Sequence, residues 1–225
     1  PAGLAADSAG DVIFADSGNN RIQEIAKSSG TQWGQSMTAR DIYTIAGSAT
    51  GSSGTSGDAG PAASSLLDGP QNVLLSAGSL YIADSLNNRV QEIAGSTGTQ
   101  WGQSMTASDI YTVTGSSAGT AGYSGNGGAA TSAELNDPLA LTVDSSGDLY
   151  IADAGNNRVR EVARSTADIS AYAGDGYDLA TTGDGGPATQ AGLNDPQQEA
   201  FDNHGNVYIA DEANNRIQEI ASYSH

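Results

Sequence analysis

Three acidic residues lie close together in one Gly-rich loop and could bind a metal ion. They are Asp175, Asp178 and Asp184. Calcium takes about six to eight oxygen ligands, which carboxylates and loop carbonyls supply without histidine or cysteine. The loop lacks the terminal bidentate Glu of an EF-hand, so the alternative is that these residues are solvated acids in a turn. Calcium is the one cofactor that the sequence suggests.

The histidines and serines do not form a recognisable zinc-binding or catalytic set. His204 lies in a turn between two predicted strands and His225 is the last residue, so a histidine-based zinc site lacks ligands. The chain has no cysteine, and its serines lie in Gly-rich loops without the strand–turn–helix context of a nucleophile elbow. Two carboxylates could act as acid and base, but 26 acids give the sequence no way to select a pair.

A duplicated insertion carries all the tryptophans and methionines of the chain. It reads Gly-Thr-Gln-Trp-Gly-Gln-Ser-Met-Thr-Ala at residues 30–39 and again at 98–107. Its large apolar residues are Trp33, Met37, Trp101 and Met105. Large apolar side chains on projecting hairpins predict a surface that contacts a protein or a carbohydrate. The alternative is that each Trp folds back over its own hairpin.

A strand–turn–strand motif occurs four times in the chain, and this repeated hairpin is the framework that carries the candidate residues. One copy runs from Leu149 to Val162; β-branched and aromatic residues form its two strands, and Asp, Gly and Asn form the turn. In every copy an Arg follows the Asp of the turn after five residues. A charge-assisted bond between them predicts a structural brace of the turn. The pairs are Asp16 and Arg21, Asp84 and Arg89, Asp153 and Arg158, and Asp211 and Arg216.

Each hairpin belongs to a larger antiparallel unit. A strand that begins near a Pro precedes the hairpin, and in the first three units an outer strand follows it. The predicted units span about residues 1–47, 70–115, 138–174 and 196–225, are joined by Gly-rich loops and form a single domain. The fourth unit ends before its outer strand, and an unpaired strand edge favours association with another chain.

Composition narrows the classes of partner and compartment. The formal net charge is −18, so nucleic acid and anionic membranes are poor partners, and no apolar run is long enough to insert into a membrane. Many Gly, Ser, Thr and Ala residues with few Lys predict a secreted bacterial protein. The chain begins at Pro1 without a Met, so we expect a processed protein or a piece of a longer one.

The motifs Pro-x-x-Leu-Ala-x-Asp, Gly-Asp-x-Tyr-Ile-Ala-Asp and Asn-Asn-Arg-Val resemble the NHL repeat, and the resemblance covers nearly the whole chain. That family forms propeller blades. The resemblance therefore implies an all-β propeller of four NHL-type four-stranded blades, the last lacking its outer strand. Family propellers commonly have about six blades. We therefore expect further blades of the same polypeptide, or another copy of the chain, to complete the ring.

Three functions are compatible with this sequence. The leading one is an extracellular binding or scaffold module without catalytic activity. The resemblance also extends to lyases, so a lyase or hydrolase with an acid-lined, calcium-dependent site is the second. The third is a structural repeat array or an engineered repeat fragment.

Overall fold

The computed structural model describes residues 1–177 and 183–222, and regular structure in these ranges consists of β-strands and single turns of 3-10 helix. The first two blade regions contain β1 (Leu4–Ala6), β2 (Val12–Asp16), β3 (Arg21–Ile25), β4 (Gly30–Gln32), β5 (Gln35–Met37), β6 (Ile42–Gly47), β7 (Gly60–Pro61), β8 (Asn72–Ser76), β9 (Ser79–Asp84), β10 (Arg89–Ile93), β11 (Gly98–Gln100), β12 (Gln103–Met105) and β13 (Asp109–Gly115). The last two contain β14 (Gly128–Ala129), β15 (Pro138–Val143), β16 (Leu149–Asp153), β17 (Arg158–Val162), β18 (Asp168–Ala173), β19 (Pro196–Phe201), β20 (Val207–Asp211) and β21 (Arg216–Ile220). The 3-10 turns are Ser17–Asn19, Ala62–Ser64, Ser85–Asn87, Ala130–Ser132, Ala154–Asn156, Ala188–Gln190 and Glu212–Asn214. No helix of the described ranges is long and apolar enough to cross a bilayer.

The strands form four antiparallel sheets, which are the blades. From the innermost strand outward, blade 1 is β1-β2-β3-β6, blade 2 is β8-β9-β10-β13-β7, blade 3 is β15-β16-β17-β18-β14 and blade 4 is β19-β20-β21. The strand pairs β4-β5 and β11-β12 are separate hairpins. The predicted four-blade all-β propeller, whose last blade has three strands among the described residues, is confirmed.

Two of the Gly-rich linkers add a short fifth strand to the blade that follows them. Gly60 pairs with Ile110, which places β7 outside β13, and Gly128 pairs with Ile169, which places β14 outside β18. Blades 2 and 3 therefore cover the edge of their fourth strand, where unpaired backbone groups would otherwise be exposed.

The hairpin turns connect each blade to the next one. The last Asn of each turn adopts a left-handed conformation, as in Asn88 with φ 50°, which Asn tolerates better than most residues. The Asn88 amide donates to Gly119 O at 3.0 Å, and its Oδ1 accepts from the backbone N–H of Asp137 at 2.9 Å. Asn20 binds Gly51 and Gly69 in the same way. The recurring Asn therefore fixes the turn and the start of the following blade.

Each hydrophobic core cluster lies between two adjacent blades. Ile13 and Ile22 pack with Ile82 between blades 1 and 2, and the latter two are fully buried. Tyr81 packs with Leu149 between blades 2 and 3. The cluster between blades 3 and 4 consists of the buried residues Tyr150, Val159, Ala173, Leu193, Val207 and Ile209. Burying an aliphatic side chain contributes about 1.5–3 kcal/mol, so the blades stabilise one another.

Alternate connections of an antiparallel sheet lie at opposite ends. The Asp–Arg turns and the Gly-rich linkers lie at one end of the blades. The β1–β2 connection of blade 1, its counterparts in the other blades and the two Trp hairpins lie at the other end, which we call the hairpin face.

Candidate functional site

The Asp and Arg residues of the turns form ion pairs in three blades. In each pair Nε of the Arg donates to Oδ2 of the Asp at 2.8 Å. These pairs are Arg21 with Asp16, Arg89 with Asp84 and Arg216 with Asp211. Arg89 and Asp84 are fully buried, so this ion pair braces the turn inside blade 2 and is not accessible to a ligand.

Blade 3 uses a different arginine. Nη1 of Arg160 lies 3.6 Å from Oδ2 of Asp153, and both side chains are fully buried. Arg158 instead donates to Gly174 O at 2.8 Å and lies over the ring of Tyr123, 4.2 Å from its centroid. Burial raises the pKa of Asp153 to about 6, although nearby hydrogen-bond donors act to lower it. The expected brace between Asp153 and Arg158 therefore differs from the observed contact.

The acidic loop does not form a metal site in the part of the chain that the structure describes. Asp178 lies outside the described residues. The Asp184 side chain is 80% exposed, and its Oδ1 lies 3.8 Å from Nη1 of Arg216. Oδ1 of Asp175 accepts from the backbone N–H of Tyr177 at 3.0 Å. No group of three acids or histidines among the described residues could hold a metal ion, and calcium binding stays a prediction.

His204 is a solvated turn residue in this structure. Its side chain is 84% exposed, and its Nδ1 lies 3.7 Å from Oδ2 of Asp202. Its backbone N–H donates to Oδ1 of Asp202 at 2.8 Å. His225 lies outside the described residues.

The Trp hairpins pack against the blades and do not form the expected contact surface. Met37 is 4% exposed, Trp101 4% and Met105 2%, and Trp33 is half-buried. Because these side chains belong to the cores between blades, a partner cannot reach most of their surface. The four residues therefore do not form an exposed apolar surface in this structure, and their binding of a protein or a carbohydrate stays a prediction.

Trp101 fills the space between blades 2 and 3 at the hairpin face. Its indole N–H donates to Oε2 of Glu92 at 2.8 Å, and its ring meets the ring of Tyr81 edge-on at 6.1 Å. From blade 3, the guanidinium of Arg164 lies over the indole, 4.6 Å from its centroid. In blade 1 the indole N–H of Trp33 donates to Glu24 at 2.6 Å. A buried Glu receives the Trp in both blades.

Blade 3 has no such hairpin, and a cavity of about 630 Å³ lies between blades 3 and 4. We call it the blade 3–4 cleft. Three aromatic rings line it: the ring centroid of Tyr150 lies 4.7 Å from that of Tyr172 and 4.8 Å from that of Phe201, and both contacts are edge-on. Asp144 and Asp202 also line the cleft. Aromatic walls with a few polar groups are typical of small-molecule sites.

A half-buried carboxylate lies next to these rings. Glu161 pairs with Tyr150 across β16 and β17, and no hydrogen bond from a described residue reaches its side chain. Burial raises the pKa of Glu161, and the charges of Asp148 and Asp144 raise it further. Burial and the charge of Glu161 together raise the pKa of both Tyr150 and Tyr172, as expected for a carboxylate close to both rings. Glu161 is therefore a hydrogen-bond acceptor available beside the cleft.

A second cavity, of about 740 Å³, lies along the outer edge of β21. Its walls are residues 216–222 and the linker residues 183–188. In blade 2 the outer strand β13 lies between β10 and β7, and in blade 3 the outer strand β18 lies between β17 and β14. This cavity therefore corresponds to the position of a strand, and we do not take it as the small-molecule site.

Glu199 is a buried acid that the sequence analysis missed. It is 2% exposed, and neither carboxylate oxygen has a hydrogen-bond partner among the described residues. Burial raises its pKa to about 8, although the nearby backbone of Ala152 acts to lower it. Aligning the repeats would have revealed it, because Leu141 and Val73 occupy its position in blades 3 and 2. Because Glu199 is buried away from solvent, we treat it as a determinant of stability.

Solved structures share this fold over nearly the whole chain. A protein of unknown function from Bacteroides thetaiotaomicron matches with a TM-score of 0.67 and 19% identity, over 97% of this chain and 46% of its own. An auxiliary nutrient binding protein from the same species matches with a TM-score of 0.62 and 15% identity, over 96% and 46%. The virginiamycin B lyase of Staphylococcus aureus matches with a TM-score of 0.54 and 14% identity, over 98% and 52%. The chain spans about half the length of these proteins, and at such identities they show the fold alone.

Family comparison agrees with the repeats. No curated protein matches the sequence significantly. Residues 37–163, more than half of the chain, match the family described as the teneurin NHL domain, and residues 1–25 match the NHL repeat. With four blades built on the recurring Asp–Asn–Arg turn, the chain belongs to the NHL-repeat β-propellers.

Proposed function

We propose that this propeller is a non-catalytic, extracellular binding module whose ligand occupies the blade 3–4 cleft. The observation that carries the proposal is the cavity of about 630 Å³ walled by Tyr150, Tyr172 and Phe201. Its volume lies within the range of about 300–1,000 Å³ that is typical of ligand pockets. Three rings offer a large apolar contact area at a low cost in conformational entropy.

The polar groups of the cleft favour binding over catalysis. Oδ1 of Asp144 accepts from the backbone N–H of Ser146 at 2.8 Å and of Asp148 at 2.9 Å. Oδ1 of Asp202 is bound in the same way by the backbone of its own turn. Hydrogen bonds of this kind hold the carboxylate in a fixed orientation. Two such carboxylates provide negative charge at fixed positions, which suits the binding of a ligand.

Composition and fold support the extracellular and binding parts of the proposal. The chain is rich in Gly, Ser, Thr and Ala and has few lysines, a composition that fits secreted bacterial proteins. The nutrient binding protein among its structural neighbours is an example of this fold in a binding role. Secretion is tested by fractionating the native bacterial culture and locating the chain with an antibody.

A titration with aromatic compounds and carbohydrates, followed by NMR, tests the cleft. The test variant is Tyr172→Val, Phe201→Val. Val113 and Val143 occupy these positions in neighbouring blades, and the β-branched side chain of valine is well suited to a strand. We expect at least one compound to shift cleft resonances, and its affinity to fall roughly tenfold or more in the variant, since two apolar walls are lost.

The control is Tyr43→Phe, which lies in blade 1 and should not change the affinity. Equal affinity of the wild type and the double valine variant would contradict the cleft as the binding site. Chemical conversion of the bound compound would contradict the non-catalytic role.

A further inference from the structure

We propose that the blade 3–4 cleft binds an indole-type ring whose ring N–H donates to Glu161, with a cationic substituent favoured. This inference rests on the proposed function and specifies the ligand class for the same site. In blades 1 and 2 a tryptophan of the chain occupies the position equivalent to the cleft and donates to a Glu. Blade 3 has the corresponding Glu but no tryptophan.

The strand register shows that the Trp101 position beside blade 2 and the cleft beside blade 3 are equivalent. Glu92 pairs with Tyr81 across β9 and β10, and Glu161 pairs with Tyr150 across β16 and β17. In blade 2 this Glu and Tyr receive Trp101, through a hydrogen bond of 2.8 Å and an edge-on ring contact of 6.1 Å. The same two residue types occupy the same register in blade 3, where Tyr150 lines the cleft and Glu161 is its partner on the next strand.

The shorter connection of blade 3 leaves the place open. In blade 2, 14 residues, 95–108, separate Ala94 from the outer strand and carry the Trp hairpin, whereas blade 3 has only residues 164–167 between Ala163 and Asp168. The opposite wall comes from the next blade in both cases: Arg164 of blade 3 covers Trp101, and Ser222 of blade 4, at the same repeat position, lines the cleft. A smaller residue there leaves more room for a ring.

The acceptor is free for a ligand. In blades 1 and 2 the corresponding Glu24 and Glu92 each accept an indole N–H and are fully buried. Glu161 is half-buried and accepts no hydrogen bond from the described residues. A ring N–H that donates to this carboxylate would supply a charge-assisted hydrogen bond in a partly desolvated place, where such bonds are strong.

The charge around the cleft selects the substituent on the ring. Asp144 and Asp202 line the cleft, Asp148 lies near Glu161, and the formal net charge of the chain is −18. An ammonium group is attracted to these carboxylates and to the faces of the aromatic rings, whereas a carboxylate on the ligand is repelled. A cationic indole therefore fits the cleft better than an anionic one.

Calorimetric titration with tryptamine and phenethylamine isolates the ring N–H. The two amines share the ammonium arm and an aromatic ring, and only tryptamine carries a ring N–H. We expect tryptamine to bind roughly tenfold or more tightly, the difference that one hydrogen bond to a charged acceptor supplies. Indole-3-propionate, with the same ring and an anionic arm, should bind more weakly than tryptamine.

Two matched variants assign the effect to Glu161. In Glu161→Ala the preference for tryptamine over phenethylamine should disappear, because the acceptor is lost. In Glu219→Ala, which changes the same repeat position in blade 4 and lies at the other cavity along β21, the preference should be unchanged. Circular dichroism of both variants checks that the blades remain folded.

The outcomes separate this inference from the proposed function. Absence of tryptamine binding, equal binding of the two amines, or a preference that persists in Glu161→Ala would overturn the indole assignment. If a carbohydrate or a phenyl compound still shifts the cleft resonances in that case, the cleft remains a binding site for another class of ligand. If no compound does, both proposals fail.

Discussion

Replacing Glu199 with Leu should raise the free energy of unfolding at pH 7 by on the order of 3 kcal/mol. Glu199 is 2% exposed, and no residue in ranges 1–177 and 183–222 gives its carboxyl a hydrogen bond, so the native state strongly disfavours its ionised form. Leu141 occupies the same position of blade 3 and is 2% exposed, so the backbone there accepts a leucine. Urea unfolding of both proteins at several pH values measures the difference.

The pH dependence of this difference has a definite sign. Burial raises the pKa of Glu199 from 4.5 in the unfolded chain to about 8 in the folded one. A raised acid pKa means that its contribution to stability is fully present below pH 4.5 and is lost as the pH rises through about 8. The gain in the free energy of unfolding of Glu199→Leu over the wild type should therefore be small at pH 4 and largest near pH 8. Between these values it should grow by about 1.4 kcal/mol for each pH unit.

Glu199→Gln is the matched control because it keeps the shape and removes the titration. This variant should remove the same pH dependence of stability as Glu199→Leu does. Its gain in the free energy of unfolding should be smaller, because the buried amide still lacks hydrogen-bond partners. A difference between the wild type and Glu199→Leu that is the same at pH 4 and pH 8 would show that the acid is not buried as described.

Replacing Trp101 with Ala should lower the free energy of unfolding by about 3–5 kcal/mol, the range for removing a buried large aromatic residue. The indole is 4% exposed, packs between Tyr81 and Arg164, and gives the fully buried Glu92 a hydrogen bond of 2.8 Å. Truncation removes these contacts together and leaves a buried carboxylate with one donor fewer. Urea unfolding of the variant measures the loss.

Trp33→Ala is the comparison, because the same substitution in blade 1 removes a half-buried indole. Its loss of stability should be clearly smaller than that of Trp101→Ala. If both variants were as stable as the wild type, the two hairpins would project into solvent, as a contact surface requires, and their packing between blades would be wrong.

The sequence predicted the blades well because local signals repeat in it. The Asp, Asn and Arg of each turn and the flanking β-branched residues are sufficient for a hairpin, and four copies predict a propeller. The fifth strands β7 and β14 could not be predicted, because Gly60 and Gly128 pair with an outer strand of the next blade and not with a sequence neighbour. Pairing of this kind depends on how the blades pack.

The sites were harder to predict because they depend on contacts between blades. The sequence shows that Trp101 lies in an insertion, but its burial depends on Tyr81 and on Arg164 of the neighbouring blade. The short connection of blade 3 was visible in the sequence, whereas the cavity that it leaves was not. Arg160, and not Arg158, pairs with Asp153, and both arginines lie on the same strand. The five-residue spacing from Asp to Arg does not show which of the two side chains reaches the carboxylate.

Grafting the Trp hairpin of blade 2 into blade 3 tests directly whether the blade 3–4 cleft is the ligand site. The graft replaces residues 165–167 with a copy of residues 96–108, so that a tryptophan of the chain itself can donate to Glu161. Calorimetric titration of the folded graft with tryptamine is then compared with the wild type. We predict that the wild type binds tryptamine and that the graft loses the affinity by more than roughly tenfold, because the cleft is filled. A folded graft that binds tryptamine as tightly as the wild type would contradict the assignment of the cleft.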